Sequence, residues 1–369
     1  MSTIIKSIML ALVGAGVLSA ADPAGSGARA IADGVPIRND TAWKDDRGRE
    51  IMCQGGSLYK FGDTFYFYGW GDYPGDNRND TVTCYSSKDL SNWKFERHVA
   101  TYGKNGFNII PDRLHVLYNE STHKYVMITK HRLPYEDPVI PDNSRTAGEI
   151  GFADCDTPTG DFVLRGHERP KSPSGEWYAY GDLCAFKDAD GKAYVVSAGT
   201  GQKDFFVLQL SLDYMHYDKM LCKIPGHREA PYLIKMKGKY WIFASGVAGW
   251  ASTKTYYCTA TTPAGPWSAY KEVTTEPASG NSFNSQTDLL LEIKGSAGSF
   301  ILWGGDRWSQ RTKKGSGKNI WLPLQWNGDE PLLKWYPTWF VDAAAGTWTA
   351  DPKTTGTPPA GTSPPTQHP

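Results

Sequence analysis

Five residues stand at one distance from a turn of their own. Glu229 lies nine residues before Gly238, Asp182 nine before Gly191, Gln286 nine before Gly295, Asp112 nine before Ser121 and Cys53 nine before Gly62. Three carboxyls and an amide facing one another in a cleft would be the minimum kit for hydrolysis of a glycosidic bond. One carboxyl must keep its proton at working pH to donate it to the leaving oxygen, and neighbouring carboxylates raise its pKa enough to allow that. The alternative for any single acid is a solvated strand end or a turn cap. Glu120 sits inside the turn Asn119-Glu120-Ser121-Thr122 and is expected at the surface.

The elements that would gather these residues are short β-rich runs punctuated by Gly, Asn, Asp and Pro. Phe65 to Tyr68, Tyr125 to Ile128, Tyr194 to Val196, Tyr240 to Phe243 and Phe300 to Trp303 each read as the second strand of a hairpin. The segment Thr157-Pro158-Thr159-Gly160-Asp161-Phe162 is echoed by Thr262-Pro263-Ala264-Gly265-Pro266-Trp267, and both would close an outer hairpin. Successive turns at 62, 121, 191, 238 and 295 are spaced to suit four-stranded blades with variable loops. Five units predict an all-β, five-bladed β-propeller over 22–350, with the five frame residues around its axis. A two-sheet sandwich would not explain a common frame ending at polar residues.

Residues 1–21 carry Lys6, an apolar run from Ile8 to Leu18 and then Ser19-Ala20-Ala21, the pattern of a signal peptide, so the chain is expected to be secreted or periplasmic. Residues 351–369 are rich in Pro, Thr and Gly and are expected to be a disordered tail. Lys plus Arg and Asp plus Glu number 39 each, so nucleic-acid binding has no electrostatic footprint. No later apolar run is long enough to span a membrane. The six cysteines allow up to three disulfides, but a domain of this size does not require them, and no CxxC or His/Cys spacing suggests zinc. Aromatic residues make up 13% of the chain, with 14 Trp and 20 Tyr, a composition common to sheet proteins and to sugar-binding proteins.

Several motifs together resemble glycoside hydrolase family 43, subfamily 24. They are His227-Arg228-Glu229-Ala230-Pro231-Tyr232, Ser245 to Trp250, Ser282-Phe283-Asn284-Ser285-Gln286-Thr287, Gly305-Asp306-Arg307-Trp308 and Trp321-Leu322-Pro323-Leu324. The resemblance runs from about Cys53 to Trp348 and implies an inverting exo-β-1,3-galactanase that trims the galactan backbone of arabinogalactans from the non-reducing end. It implies Glu229 as general acid and Asp182 as the carboxylate that tunes and orients it. Asp112, followed by Arg113, falls where the family has Glu before Arg and would hold sugar hydroxyls or help position the reaction. Gln286 would orient or activate the attacking water, since the first blade, with Cys53 in the frame, offers no carboxylate base. An amide is a weak base, so the other reading of Gln286 is a substrate-binding amide.

Gln54 stands where the subfamily commonly has His, and Trp70 where a Glu is usual. These departures move the pocket from hydrogen bonding toward stacking. Trp250 and Trp308 are candidates to stack on a pyranose, and Arg307 beside Asp306 is a candidate anchor for the ring of acids, with core packing and a structural ion pair as the alternatives. The expected partner is a polysaccharide or oligosaccharide, with no nucleic acid and no membrane span, and the expected state is a monomer. No cofactor or catalytic metal is implied; a structural calcium is open in this family, but no Asp-rich loop argues for one. Two other functions stay in view: a family 43 enzyme for another glycoside, such as an arabinofuranosidase or other β-galactosidase, and a catalytically silent glycan-binding propeller.

Overall fold

The structure, a computed structural model, describes residues 34–71, 81–107, 111–132, 148–249, 251–308 and 318–354. The expected signal peptide and all but the first four residues of the expected tail lie outside the described residues. Among the described residues the fold is all-β apart from 3-10 turns at Thr200–Gln202 and at Trp308, and no helix is long and apolar enough to cross a membrane.

The strands form six sheets, which corrects the expected five-bladed propeller to a six-bladed one. Blade 1 consists of Gln54–Phe61, Thr64–Gly71, Thr81–Ser87 and Lys94–Thr101, and blade 2 of Pro111–Asn119, Lys124–Arg132, Gly148–Cys155 and Val163–Glu168. Blade 3 consists of Leu183–Lys187, Ala193–Ala198, Asp204–Leu210 and Tyr217–Pro225, and blade 4 of Arg228–Met236, Lys239–Gly246, Thr255–Ala260 and Lys271–Glu272. Blade 5 has Gln286–Lys294, Ser299–Asp306, Asn319–Asn327 and Glu330–Lys334, to which Thr274–Glu276 adds a parallel edge. The sixth sheet joins the two ends of the described chain: Val35–Arg38 pairs antiparallel with Thr338–Asp342, which turns back into Thr347–Ala350. The turn count missed this sheet because one of its strands precedes the first counted hairpin and the other two follow the last.

In blades 1, 3, 4 and 5 the last strand is much less buried than the three before it, as the outer edge of a radial array should be. Arg228–Met236 is buried at all but two positions, Arg228 and Lys235, and its middle, Ala230 to Ile234, is an unbroken apolar run that does not alternate. Tyr217–Pro225, the outer strand of blade 3, has only one buried position. The five frame-bearing first strands touch in order and close into a ring, whereas the sixth sheet supplies no strand to that ring. Trp303, Trp321 and Trp339 are fully buried indoles, Trp321 packing on Phe67 of blade 1 and Trp339 on Phe300 of blade 5, each worth roughly 2–3 kcal/mol of transfer free energy. Much of the aromatic excess is therefore core. The two echoed Thr-Pro segments link the third and fourth strands of blades 2 and 4, where Thr157 and Thr262 accept hydrogen bonds from Gly160 and Gly265. All six cysteines are free thiols.

Four of the five inner hairpins carry a register shift just after the first strand begins: between Gln54 and Ser57, Asp112 and His115, Glu229 and Tyr232, and Thr287 and Leu289. In three of them the next residue has a positive φ: Gly55 at 59°, Arg113 at 46° and Ala230 at 51°. Such a bulge twists the strand and re-aims a side chain at a rim, here toward the axis. In blade 1 the bulge also demands Gly56, because a Cβ there would lie 1.8 Å from the Tyr68 carbonyl oxygen. The bulges align Gln54, not Cys53, with Asp112 and Glu229: each lies seven residues before the last residue of its strand, Phe61, Asn119 and Met236. Counting from the turn misplaced blade 1 by one residue because its Gly62 is the first residue of the loop, whereas Ser121 and Gly238 are the second of theirs.

Candidate active site

The register pairs decide which side chains meet at the rim. Glu229 lies across from Ser245, Gln286 from Asp306, Asp112 from Lys130 and Gln54 from Trp70. Gln286 Nε2 donates to Glu229 Oε1 and to Ser245 Oγ, each at 2.9 Å. Gln286 Oε1 accepts from Arg113 Nη2 at 2.5 Å and from the Trp308 indole N–H at 2.7 Å. The residues before Gln286 bring it in through a left-handed run, with Ser282, Phe283 and Asn284 at φ of 49°, 59° and 59°.

Arg113 is the hub, with its guanidinium joining three blades. Nη1 donates to Asp288 Oδ1 at 2.9 Å, Nη2 to Gln286, and Nε lies 3.4 Å from Asp182 Oδ2, with the guanidinium 5.5 Å from the Trp308 ring centre. Asp182 Oδ1 accepts from Lys130 Nζ at 3.1 Å, and Oδ2 accepts the Ala230 N–H that the bulge frees, at 3.2 Å. Asp182 therefore sits against the backbone of the residue that follows Glu229. Lys130 and Arg113 are buried at 3% and 6% exposure, so their charges need these carboxylates.

Burial, and then repulsion from Asp182, push the Glu229 carboxyl up from 4.5 to about 7, against the pull of the Ala248 N–H, Arg113 and Lys130. Asp288 and Asp306 are two more buried carboxyls of blade 5, each close enough to the other to affect its charge. Burial, and then the neighbouring Asp288, push Asp306 well above the carboxylate range. Its oxygens also accept the Gly55 N–H at 2.7 Å and the Asn319 amide at 2.8 Å. Burial pushes Asp288 up to about 6, with Arg113 opposing. His115, hydrogen-bonded to the Tyr59 hydroxyl at 2.8 Å, is pushed down to about 3 by burial and by Arg113, so it is neutral. Among the described side chains of the site, the cations Lys130 and Arg113 face Asp182 and Asp288.

The structure thus brings Asp182, Glu229, Gln286, Arg113, Asp306 and Trp308 together. Trp70 packs edge-on to Trp308, ring centres 5.5 Å apart. Gln54 turns its amide to the carbonyls of Arg307 and Lys318, at 3.1 and 3.3 Å, and so supports the segment carrying Trp308. Arg307 does not join Asp306; it donates to the carbonyls of Asn39 and Phe283 and lies over Trp335. Cys53 is buried within its own blade, its thiol 3.5 Å from the Phe67 carbonyl. Glu120 is exposed and pairs with Lys187. The Asp112 backbone begins the inner strand of blade 2, but its side chain, like the whole of Trp250, lies outside the described residues. Lys130, Ser245 and Asp288 were missed from the sequence. The signal for the first two is their place opposite a frame residue, and for Asp288 its place two residues after Gln286, on the same strand.

Residues 51–286 match the family described as Glycosyl hydrolases family 43. The chain belongs to family 43. It is a glycoside hydrolase, and its substrate is a carbohydrate. Among solved structures it is similar to an exo-β-1,3-galactanase from Clostridium thermocellum, with 29% identity, a TM-score of 0.76, and 87% of this chain and 69% of that one covered. It is also similar to the exo-β-1,3-galactanase of Phanerochaete chrysosporium solved with β-1,3-galactotriose, with 26% identity, a TM-score of 0.73, and coverage of 86% and 70%. A third similar structure, described as a putative exo-β-1,3-galactanase from Bifidobacterium bifidum s17, has 27% identity and a TM-score of 0.68 and covers 81% of this chain and 96% of its own. No curated protein matches the sequence.

Proposed function

We propose that this glycosidase is an exported exo-β-1,3-galactanase that removes galactose from the non-reducing end of β-1,3-galactan with inversion, Glu229 serving as general acid and Gln286 as the amide that holds the reaction geometry. The observation that carries the chemistry is the Glu229 carboxyl, buried, beside Asp182 and raised to about 7, where a proton donor of near-neutral pKa is needed. The substrate rests on the similarity to galactanases, one of them solved with β-1,3-galactotriose. Asp182 tunes the acid through its charge and orients it through the Ala230 N–H.

The test is incubation with reduced β-1,3-galactooligosaccharides, following the first product by NMR. Galactose released first as the α-anomer, with oligosaccharides shortened one residue at a time, is the expected result. Initial release of β-galactose would exclude inversion, and no release from any β-1,3-galactan would exclude the substrate. One observation favours a second reading, a family 43 enzyme for another glycoside. Blade 1 presents Gln54 committed to backbone carbonyls and Trp70 packed on Trp308, where the family resemblance leads one to expect His and Glu. Turnover of aryl α-L-arabinofuranoside but not galactan would establish it.

A further inference from the structure

We propose that Gln286 works only as an ordinary amide, a positioning residue that holds Glu229 Oε1 so that the acid's proton sits on Oε2, and that it does not activate the attacking water. The inference rests on the reading of Glu229 as general acid. Four contacts fix the amide. Its Oε1 faces Arg113 Nη2 and the Trp308 indole nitrogen, groups that can only donate, while Nε2 faces Glu229 Oε1 and Ser245 Oγ. Turning the amide over would set its NH2 against two donors, so the orientation has one solution. An imidic-acid form would put its own proton on an oxygen that already accepts from the same two donors at 2.5 and 2.7 Å, so these contacts favour the ordinary amide.

Geometry gives a second, independent reason. An inverting enzyme places its acid and its water-activating group on opposite faces of the sugar, about 6.5–9.5 Å apart, to leave room for the ring and the water. Gln286 instead touches the acid directly at 2.9 Å. Glu229 Oε1 also accepts the Ala248 N–H at 3.4 Å, whereas Oε2 has no protein partner among the described residues. With two N–H groups aimed at Oε1, the carboxylic proton belongs on Oε2. As the bond from C1 to the glycosidic oxygen breaks, its electron pair goes to that oxygen, which takes the Oε2 proton. A water on the other face of the ring supplies the new C1–O bond, and its proton passes to solvent water and not to Gln286. The charge left on Glu229 then meets donors already in place. Arg113, Trp308 and Ser245 act one step back, by holding the amide.

Leaving-group dependence separates the two roles, because an acid and whatever positions it matter little when the leaving group departs unaided. Turnover of β-1,3-galactobiose and of 2,4-dinitrophenyl β-galactoside is compared for wild type, Glu229→Ala and Gln286→Ala, with and without azide. Gln286→Ala should lose about 10²-fold on galactobiose but less than about tenfold on the dinitrophenyl glycoside, in parallel with Glu229→Ala. Equal losses on both substrates, with azide restoring turnover to give α-galactosyl azide, would show Gln286 serving the water and overturn the inference while leaving the acid in place. Gln286→Glu keeps the shape and the acceptors for Arg113 and Trp308, so it guards against misfolding. It should be as slow on galactobiose as Gln286→Ala, whereas wild-type or faster turnover would identify position 286 as a base and refute the proposal. Equal losses for Glu229→Ala on the two substrates would remove the acid, and this inference with it.

Discussion

Asp182→Asn tests the electrostatic account of the acid. The substitution keeps shape and an oxygen for the Ala230 N–H but removes the charge that ranks second, after burial, in raising Glu229. It also leaves Lys130 and Arg113 with one carboxylate fewer, so their pull on Glu229 grows. A like charge at about 6 Å in a medium of effective dielectric about 20 is worth about 3 kcal/mol, or about two pKa units. The acid should therefore fall from about 7 toward about 5. At pH 7 its protonated fraction would drop from about one half to about one hundredth, a loss of about fiftyfold in kcat/KM; near pH 4 both forms are almost wholly protonated and the loss nearly vanishes. The assay is the pH profile of kcat/KM on galactobiose, in which the basic limb should move down by about two units. A uniform loss at every pH, with the limb unmoved, would show that Asp182 acts through geometry alone and would refute the electrostatic argument.

Two further outcomes follow from burial. Because the folded Glu229 titrates at about 7 against an ordinary 4.5, its contribution to stability is intact below about pH 4.5 and lost as pH rises through 7. Glu229→Gln cannot ionise, so urea melts should find it more stable than wild type by about 3 kcal/mol at pH 8 and equal to it near pH 4, while galactose release falls about 10²- to 10⁴-fold. A variant no more stable at pH 8 would mean the carboxyl is better solvated than its position implies. Gly56→Ala would force a Cβ to 1.8 Å from the Tyr68 carbonyl oxygen and 2.7 Å from Gly69 Cα, backbone atoms that cannot swing aside. Its expected cost exceeds about 4 kcal/mol, and a wild-type thermal midpoint would refute the close approach.

The inner hairpins were legible because a turn and a buried apolar strand are local signals. The sixth blade was not, since its central strand at Thr338–Asp342 takes one partner from Val35–Arg38, at the other end of the described chain, and no turn joins them. The slip from Gln54 to Cys53 has an equally local cause. Gly62 directly follows the strand end Phe61, whereas Ser121 and Gly238 stand one residue further beyond Asn119 and Met236, so a count from the turn overshoots by one. Bulges, which decide where a rim side chain points, leave a mark only when the strained residue is Gly, as at Gly55; Arg113 and Ala230 give no such sign.

The same division explains what could be said of the chemistry. Which residues reach the rim follows from strand position, and that much can be counted. Which carboxyl keeps its proton depends instead on contacts between blades: Lys130 with Asp182, Arg113 with Asp288, Gln286 with Glu229. Three acids at the rim are equivalent in sequence until these cations are assigned. Asp182, given Lys130 and Arg113, stays charged, and Glu229, given only N–H donors on one oxygen and a charged neighbour, does not. A pattern of spacings can therefore nominate the members of such a site, but their roles are set by pairings between residues far apart in the chain, and one misassigned cation would exchange the acid for its neighbour.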